Sequence, residues 1–183
     1  MKWEDYLVES EESLPKLREK LKRQRKKIVF TAGGFDLIHV GHARYFEKAK
    51  EHGDILVAGL NSNKSIQKVK GPHKPILDQS IRAEMLLYLR AVDYVVIINQ
   101  VNCRLALKLL RPDVFITVGE KWNKGCLESP EAKIVEENGG KVIVVQRQSP
   151  KISTTAIMDN IISKQLTRYF KDALKNHRGV LKE

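Results

Sequence analysis

Five short runs rich in β-branched residues punctuate the chain: KIVFT at 27 to 31, DILVAGL at 54 to 60, DYVVII at 93 to 98, DVFITV at 113 to 118 and KVIVV at 141 to 145. Each is continuously apolar rather than alternating, which is the pattern of strands covered on both faces. Between them lie GHARYFEKAKEHG, QSIRAEMLLYLRA, NCRLALKLLRP and SPEAKIVEENGG, each with apolar residues at helical spacing. Stop signals such as Gly53, Pro112 and the Gly139, Gly140 pair follow these segments. Strand and helix repeated in this way imply a parallel sheet with right-handed crossovers. The expected fold is therefore α/β, a doubly wound three-layer domain around a five-stranded parallel sheet.

A chain of 183 residues with 42% hydrophobic residues can fill one domain core and leaves little for a second. With no internal repeat or low-complexity linker, residues 27–162 are expected to be one unit. Residues 1–26 read as an acidic, then basic, extension carrying a helix, and residues 163–183 as a basic helical tail. The stretch SLPKLREKLKRQRKK puts Leu14, Leu17 and Leu21 on one side of a helix, so packing of those leucines on the core is the ordinary expectation. A nucleic-acid or membrane-surface role for the basic flanks is the alternative. The net charge of +11 suits an anionic ligand without distinguishing nucleic acid, nucleotide, phosphate or acidic lipid. Cys103 and Cys126 have neither metal-type spacing nor a disulfide framework. An acidic N-terminus in place of an apolar leader, and no apolar run long enough to span a bilayer, complete the expectation of a cytoplasmic protein without membrane insertion.

The first strand runs into TAGGFDLIHVGHARYF, residues 31 to 46. Ligands of open parallel sheets collect beyond the carboxyl ends of the strands, where strand order reverses. Gly33 and Gly34 clear side chains from the turn so that a phosphate or sugar can approach the backbone, and Gly41 does the same at the start of the next helix. That helix is expected to begin near His42 and to offer its first N–H groups to an anion. His39 and His42, three residues apart, can face the same spot and add donors for phosphate oxygens. A metal held by both histidines and Asp36 is a rival reading, but one local carboxylate gives it an incomplete ligand set, so no metal ligands are assigned.

The stretch GGFDLIHVGH resembles the HxGH signature of the cytidylyltransferase-like nucleotidyltransferase superfamily, whose domains are Rossmann-like. Members join a phosphorylated small molecule to a nucleoside triphosphate and release pyrophosphate. KGPHKPI, RAEMLLYLRAVDYVVI, RPDVFI, ENGGKVIVV and ISTTAIMDNI follow in the order seen in the adenylyltransferase part of bacterial ADP-heptose synthases, from about residue 13 to residue 162. The resemblance implies that His39 and His42 contact nucleotide phosphates and that Gly33, Gly34, Phe35, Asp36 and Gly41 form the nucleotide-binding turn. It further implies magnesium as the companion of the triphosphate, a phosphorylated small molecule as acceptor, and a homodimer as one expected assembly. Two departures keep both ATP and CTP open as co-substrate. Gly34 stands where ADP-heptose enzymes usually have cysteine, and TVGEKWN at 117 to 123 brings in Trp122, similar to glycerol-phosphate cytidylyltransferases.

Four further groups join the candidate site. Lys68 and Lys70 in QKVKGPHKP, taken as an extended segment, would aim two ammonium groups the same way, and with the histidines they are read as catalytic. Arg82 in IRAEML lies where related transferases have an arginine near the nucleotide, a surface ion pair being the alternative. Ser153, Thr154 and Thr155 stand where a final helix begins; there a hydroxyl caps the helix and its N–H groups can hold phosphate, and the resemblance implies that Ser153 and Thr154 contact the nucleotide. Arg147 precedes them as a candidate phosphate partner.

A phosphomonoester is mostly dianionic at neutral pH, its second pKa being about 6, so attack on an α-phosphorus needs no general base. A site rich in donors and poor in carboxylates fits that reaction through positioning and charge stabilisation. The rival of another class is a catalytically silent nucleic-acid-binding or regulatory module that uses the basic flanks. A class I aminoacyl-tRNA synthetase is set aside, because the chain has no KMSKS stretch and is too short to read an anticodon.

Overall fold

Three of the apolar runs open on an aspartate, and all three carboxylates reach across to a neighbouring strand. In the computed structural model, which describes residues 2–118, 128–146, 148 and 152–180, Asp54 accepts from the Lys27 N–H at 2.8 Å and Asp113 from the Ile28 N–H at 2.7 Å. Asp93 accepts from the Leu56 N–H at 2.6 Å and pairs with Lys50. Charge-assisted bonds of this kind pin the strand starts in register, at the end of the sheet opposite the HxGH turn.

The strands are β1 (Leu7–Val8), β2 (Ile28–Gly33), β3 (Ile55–Asn61), β4 (Tyr94–Ile98), β5 (Val114–Val118) and β6 (Lys141–Val145). They form one sheet in the order β1-β4-β3-β2-β5-β6, and every pairing is parallel. Among the described residues the sheet is thus six-stranded, which corrects the expectation of five. The added edge strand is Leu7–Val8, paired with Val95 and Val96. Two residues between acidic neighbours carry no readable period, and only β4 beside them makes them a strand.

The helices are α1 (Leu14–Arg23), α2 (Val40–Lys50), α3 (Asn63–Lys70), α4 (Gln79–Leu87), α5 (Arg104–Leu110), α6 (Pro130–Glu137) and α7 (Thr154–Val180). Alternate strand residues feed two cores. Val29, Leu56, Ala58, Leu60, Val95 and Ile97 pack with Tyr45, Phe46 and Ala49 of α2 and Ala83 and Leu86 of α4. Ile28, Phe30, Val57, Val96 and Ile98 pack with leucines of α1 and α5 and with Ile134 and Val135 of α6. Burial on both faces is why the strands read as unbroken apolar runs. Leu14, Leu17 and Leu21 lie inside the second core, and each contributes about 1.5–3 kcal/mol relative to exposure. Residues 1–26 therefore supply an edge strand and a core helix to the sheet.

The chain separates into two units, Met1–Gln148 and Ser149–Glu183. In the second, α7 runs unbroken through residue 162. Among the described residues no helix is long and apolar enough to cross a membrane.

Candidate functional site at the sheet switch point

From β2 the chain steps to β3 and then β4 on one side, and it returns to place β5 on the other side of β2. Strand order therefore reverses between β2 and β5, and the crevice beyond their carboxyl ends is where such sheets bind ligands. Gly33 ends β2 and leads into the HxGH turn at this point.

His39 is the N-cap of α2: its backbone is extended, and its Nδ1 accepts a hydrogen bond from the Gly41 N–H at 3.1 Å. The helix begins at Val40 rather than near His42, and the His42 N–H already donates to the His39 carbonyl at 2.9 Å. The Gly41 and His42 amides are thus spent inside the turn. With Nδ1 of His39 accepting, the N–H that ring can offer lies on Nε2. The rings of His39 and His42 stack with centroids 4.0 Å apart. His42 also meets the edge of Phe35 at 5.7 Å.

Phe35 sets the shape of the turn. It is buried with φ of 39°, a left-handed conformation rare for a bulky residue, and it packs on Phe46 at 4.9 Å. Its ring lies over Gly33, where a Cβ would come within 2.9 Å of Phe35 Cζ. Gly34 is less confined, since a Cβ there would meet only the end of the Ile66 side chain at 3.3 Å.

Tyr45 fastens α2 to both strands of the switch point, a role the sequence reading did not give it. Its hydroxyl donates to the Ile116 carbonyl of β5 at 3.1 Å and is hydrogen-bonded to Thr31 Oγ1 of β2. Burial pushes its phenol well above the usual tyrosine range. Two signals in the sequence point here: a threonine ending an apolar strand, and a tyrosine one turn beyond His42 on the core side.

Asp36 and Arg82 face the protein's own backbone. The Asp36 carboxylate accepts from the N–H groups of Ile76 and Leu77, each at 2.9 Å. Arg82 is fully buried. Its Nη1 donates to the carbonyls of Gly34 at 2.6 Å and Asn61 at 2.9 Å, its Nε to the Leu77 carbonyl at 3.0 Å, and its Nη2 to Asn63 Oδ1 at 2.8 Å. Burial lowers the guanidinium from its ordinary value, and the charges of Asp36 and Asp78 offset part of that cost. Arg82 is thus a buried hub for these oxygens, and among the described residues it forms no surface ion pair.

Lys68 and Lys70 are both exposed, but they occupy the last turn of α3 rather than an extended loop. Residues two apart on a helix point about 200° apart, so one ligand group does not meet both from the same direction. A cavity of about 450 Å³ opens where α3 and α4 begin, lined by Ser62, Asn63, Lys64, Asp78, Gln79, Ser80 and Asn99. Among the described residues no group of three His, Cys, Asp or Glu side chains is placed to hold a metal ion.

In the second unit, Ser153 Oγ accepts from the Ala156 N–H at 3.1 Å, and Thr154 and Thr155 open α7. The expected capping role is filled by Ser153. Arg147 and Trp122 lie outside the described residues.

The chain is similar to several known proteins. The profile of the cytidylyltransferase-like family matches residues 30–160. The bifunctional protein HldE of Geobacter metallireducens is 39% identical over 158 residues, covering 86% of this chain and 31% of that protein. HldE of one Helicobacter pylori strain is 45% identical over 120 residues, 66% of this chain and 26% of that protein. The chain thus spans about a third or less of the length of these relatives. Among solved structures, a lipopolysaccharide core biosynthesis protein from Thermoplasma volcanium superposes with a TM-score of 0.54 at 24% identity, over 67% of this chain and 96% of that one. A pantoate-beta-alanine ligase from Francisella tularensis superposes with a TM-score of 0.51 at 15% identity, over 76% of this chain and 66% of that one. These two likenesses concern the fold. A parallel sheet whose order reverses beside β2, an HxGH turn at that reversal and a profile match that takes in both place this chain in the cytidylyltransferase-like family.

Proposed function

We propose that this chain is a nucleotidyltransferase that joins a sugar phosphate resembling heptose 1-phosphate to the AMP part of ATP, giving an ADP-sugar and pyrophosphate. The observation that carries the reading is the stacked His39 and His42 pair at the mouth of the switch-point crevice. The HldE relatives favour adenylyl over cytidylyl transfer.

In this reaction an oxygen of the acceptor's phosphomonoester attacks the α-phosphorus in line. A new P–O bond forms as the bond to the β-phosphate oxygen breaks, and pyrophosphate leaves with the electron pair. Because the attacking group is already a dianion, the protein needs no base. Its task is to hold both phosphates and stabilise charge as it moves to the leaving group. His39 offers Nε2 and His42 its ring, while Lys68 or Lys70 approaches from α3. Magnesium brought in with the triphosphate would offset charge on its phosphates, while Asp36, the one carboxylate in the turn, holds backbone N–H groups of Ile76 and Leu77. The reaction as proposed is cytoplasmic.

The test is pyrophosphate release from ATP and from CTP with a panel of sugar phosphates and glycerol phosphate. Release with ATP and a heptose 1-phosphate supports the reading. Release only with CTP and glycerol phosphate replaces it with a cytidylyltransferase. No release with any pair, together with salt-dependent RNA binding, points to a silent nucleic-acid module.

A further inference from the structure

The turn that carries the HxGH motif and the segment that joins α3 to α4 are far apart in sequence, yet one closed ring of hydrogen bonds joins them. From Asp36 the path runs to the N–H groups of Ile76 and Leu77. From the Leu77 carbonyl it passes to Arg82 Nε, and from Arg82 Nη1 to the Gly34 carbonyl, two residues from where it began. Branches from the same guanidinium reach Asn61 at the end of β3 and Asn63 at the start of α3. Asn63 in turn donates to Asp78, the N-cap of α4. A guanidinium holds five N–H donors in a fixed plane, so a single side chain can serve acceptors on several elements at once.

We infer that Asp36 and Arg82 act together as a positioning pair, holding the Gly34 carbonyl and the Ile76–Leu77 end of the segment between α3 and α4 in the one arrangement that transfer requires. The consequence for transfer rests on the function proposed above; the clamp itself rests on the geometry. Asp36 sits three residues before His39, so the carboxylate that grips the segment also fixes the approach to the histidine pair. Gly34 is gripped through its carbonyl by Arg82. Release at either residue frees the same ring, so the two act in series. A preorganised turn lowers the barrier rather than tightening the ground-state complex, so loss of the clamp falls on kcat more than on KM.

The test uses the full chain with D36N, R82K and the double variant. D36N keeps the volume but turns an N–H toward an N–H, and R82K keeps the charge but cannot serve four acceptors. The first readout needs no substrate. Hydrogen exchange at the Ile76 and Leu77 amides speeds up by at least about 10-fold in D36N and also in R82K, while the amides of the β2 and β3 ladder keep their protection. Exchange at those two amides that is unchanged in R82K overturns the coupling. The second readout is kinetic, at a temperature well below unfolding. For each single variant kcat falls at least about 10-fold with KM for both substrates within about 3-fold, and the double variant falls no further than the worse single. Unchanged kcat with a lowered melting temperature leaves only a structural role and overturns the inference, as do additive losses. If R82K does not fold, R82Q replaces it in the same two measures and in the double variant. If the unaltered chain transfers nothing, the function reading fails while the exchange result still decides the clamp.

Discussion

The imidazole rings of His39 and His42 stack with their planes inclined by 29°, and Nδ1 of His39 caps the helix that begins between them. One histidine is therefore both a structural cap and a source of a donor on Nε2. The other is held against its face and against the edge of Phe35. The stack and the cap together set the two rings side by side at the start of the helix.

His42→Ala removes a donor without touching the cap. Turnover is expected to fall about 100- to 1000-fold, the scale for losing one donor that stabilises developing charge. Steady-state pyrophosphate release checks it, with circular dichroism to verify the fold. Near-normal turnover would take His42 out of the chemistry.

His39 separates its two roles by substitution. His39→Ala should lose about 1 kcal/mol of stability with the cap, and His39→Asn should recover most of it, since asparagine caps well. Both should remain slow in transfer, because neither restores the Nε2 donor. Recovery of activity along with stability in His39→Asn would mean that only the cap matters. Urea titration and initial rates on the same preparations decide the point.

Gly33 and Gly34 should behave differently. A methyl at Gly33 runs into the Phe35 ring and displaces the residue that supports His42, whereas one at Gly34 asks only a small shift of the Ile66 side-chain tip. Gly33→Ala is expected to lose at least about 10-fold in kcat, as misplaced catalytic groups do. Gly34→Ala and Gly34→Cys should stay within about 3-fold of the parent by the same criterion. Parallel kinetic assays of the three variants test this.

Tyr45→Phe leaves the Ile116 carbonyl and Thr31 without the hydroxyl that joins β5 to β2 through α2. The expected cost is about 1–3 kcal/mol, the penalty for unsatisfied buried polar groups. Chemical denaturation measures it. A change under about 0.5 kcal/mol, the size of an ordinary surface substitution, would show that the strands do not depend on this tie.

Glu11 supplies a pH test. It is buried, and burial pulls its carboxyl above the ordinary range, an effect only partly offset by the Asn99 N–H donating to it. A folded-state value above the unfolded one favours the protonated fold. The contribution of Glu11 to stability is then present below the ordinary glutamate value of about 4.3 and is lost as pH rises through the folded value. Glu11→Gln, neutral throughout, should therefore gain on the parent between pH 4 and pH 7. Urea midpoints across that range test the sign, and a constant difference would refute it.

The sequence by itself determined the alternation of strand and helix, five of the six strands, the burial of Leu14, Leu17 and Leu21, and the HxGH motif at a strand-to-helix joint. Those properties are local, since period, turn residues and helix stops act over a few neighbours in the chain. Tertiary structure alone decided the rest. Leu7–Val8 is a strand only because β4 lies beside it. Lys68 and Lys70 diverge because α3 continues through them. His39 caps α2 because the turn brings Nδ1 onto the Gly41 N–H, and Arg82 turns inward because Gly34, Asn61, Asn63 and Leu77 present oxygens to it. The physical reason is that a charged side chain spells out its capacity to bond but not its partner. Which acceptor it meets depends on segments tens of residues away that only the folded sheet brings within 3 Å.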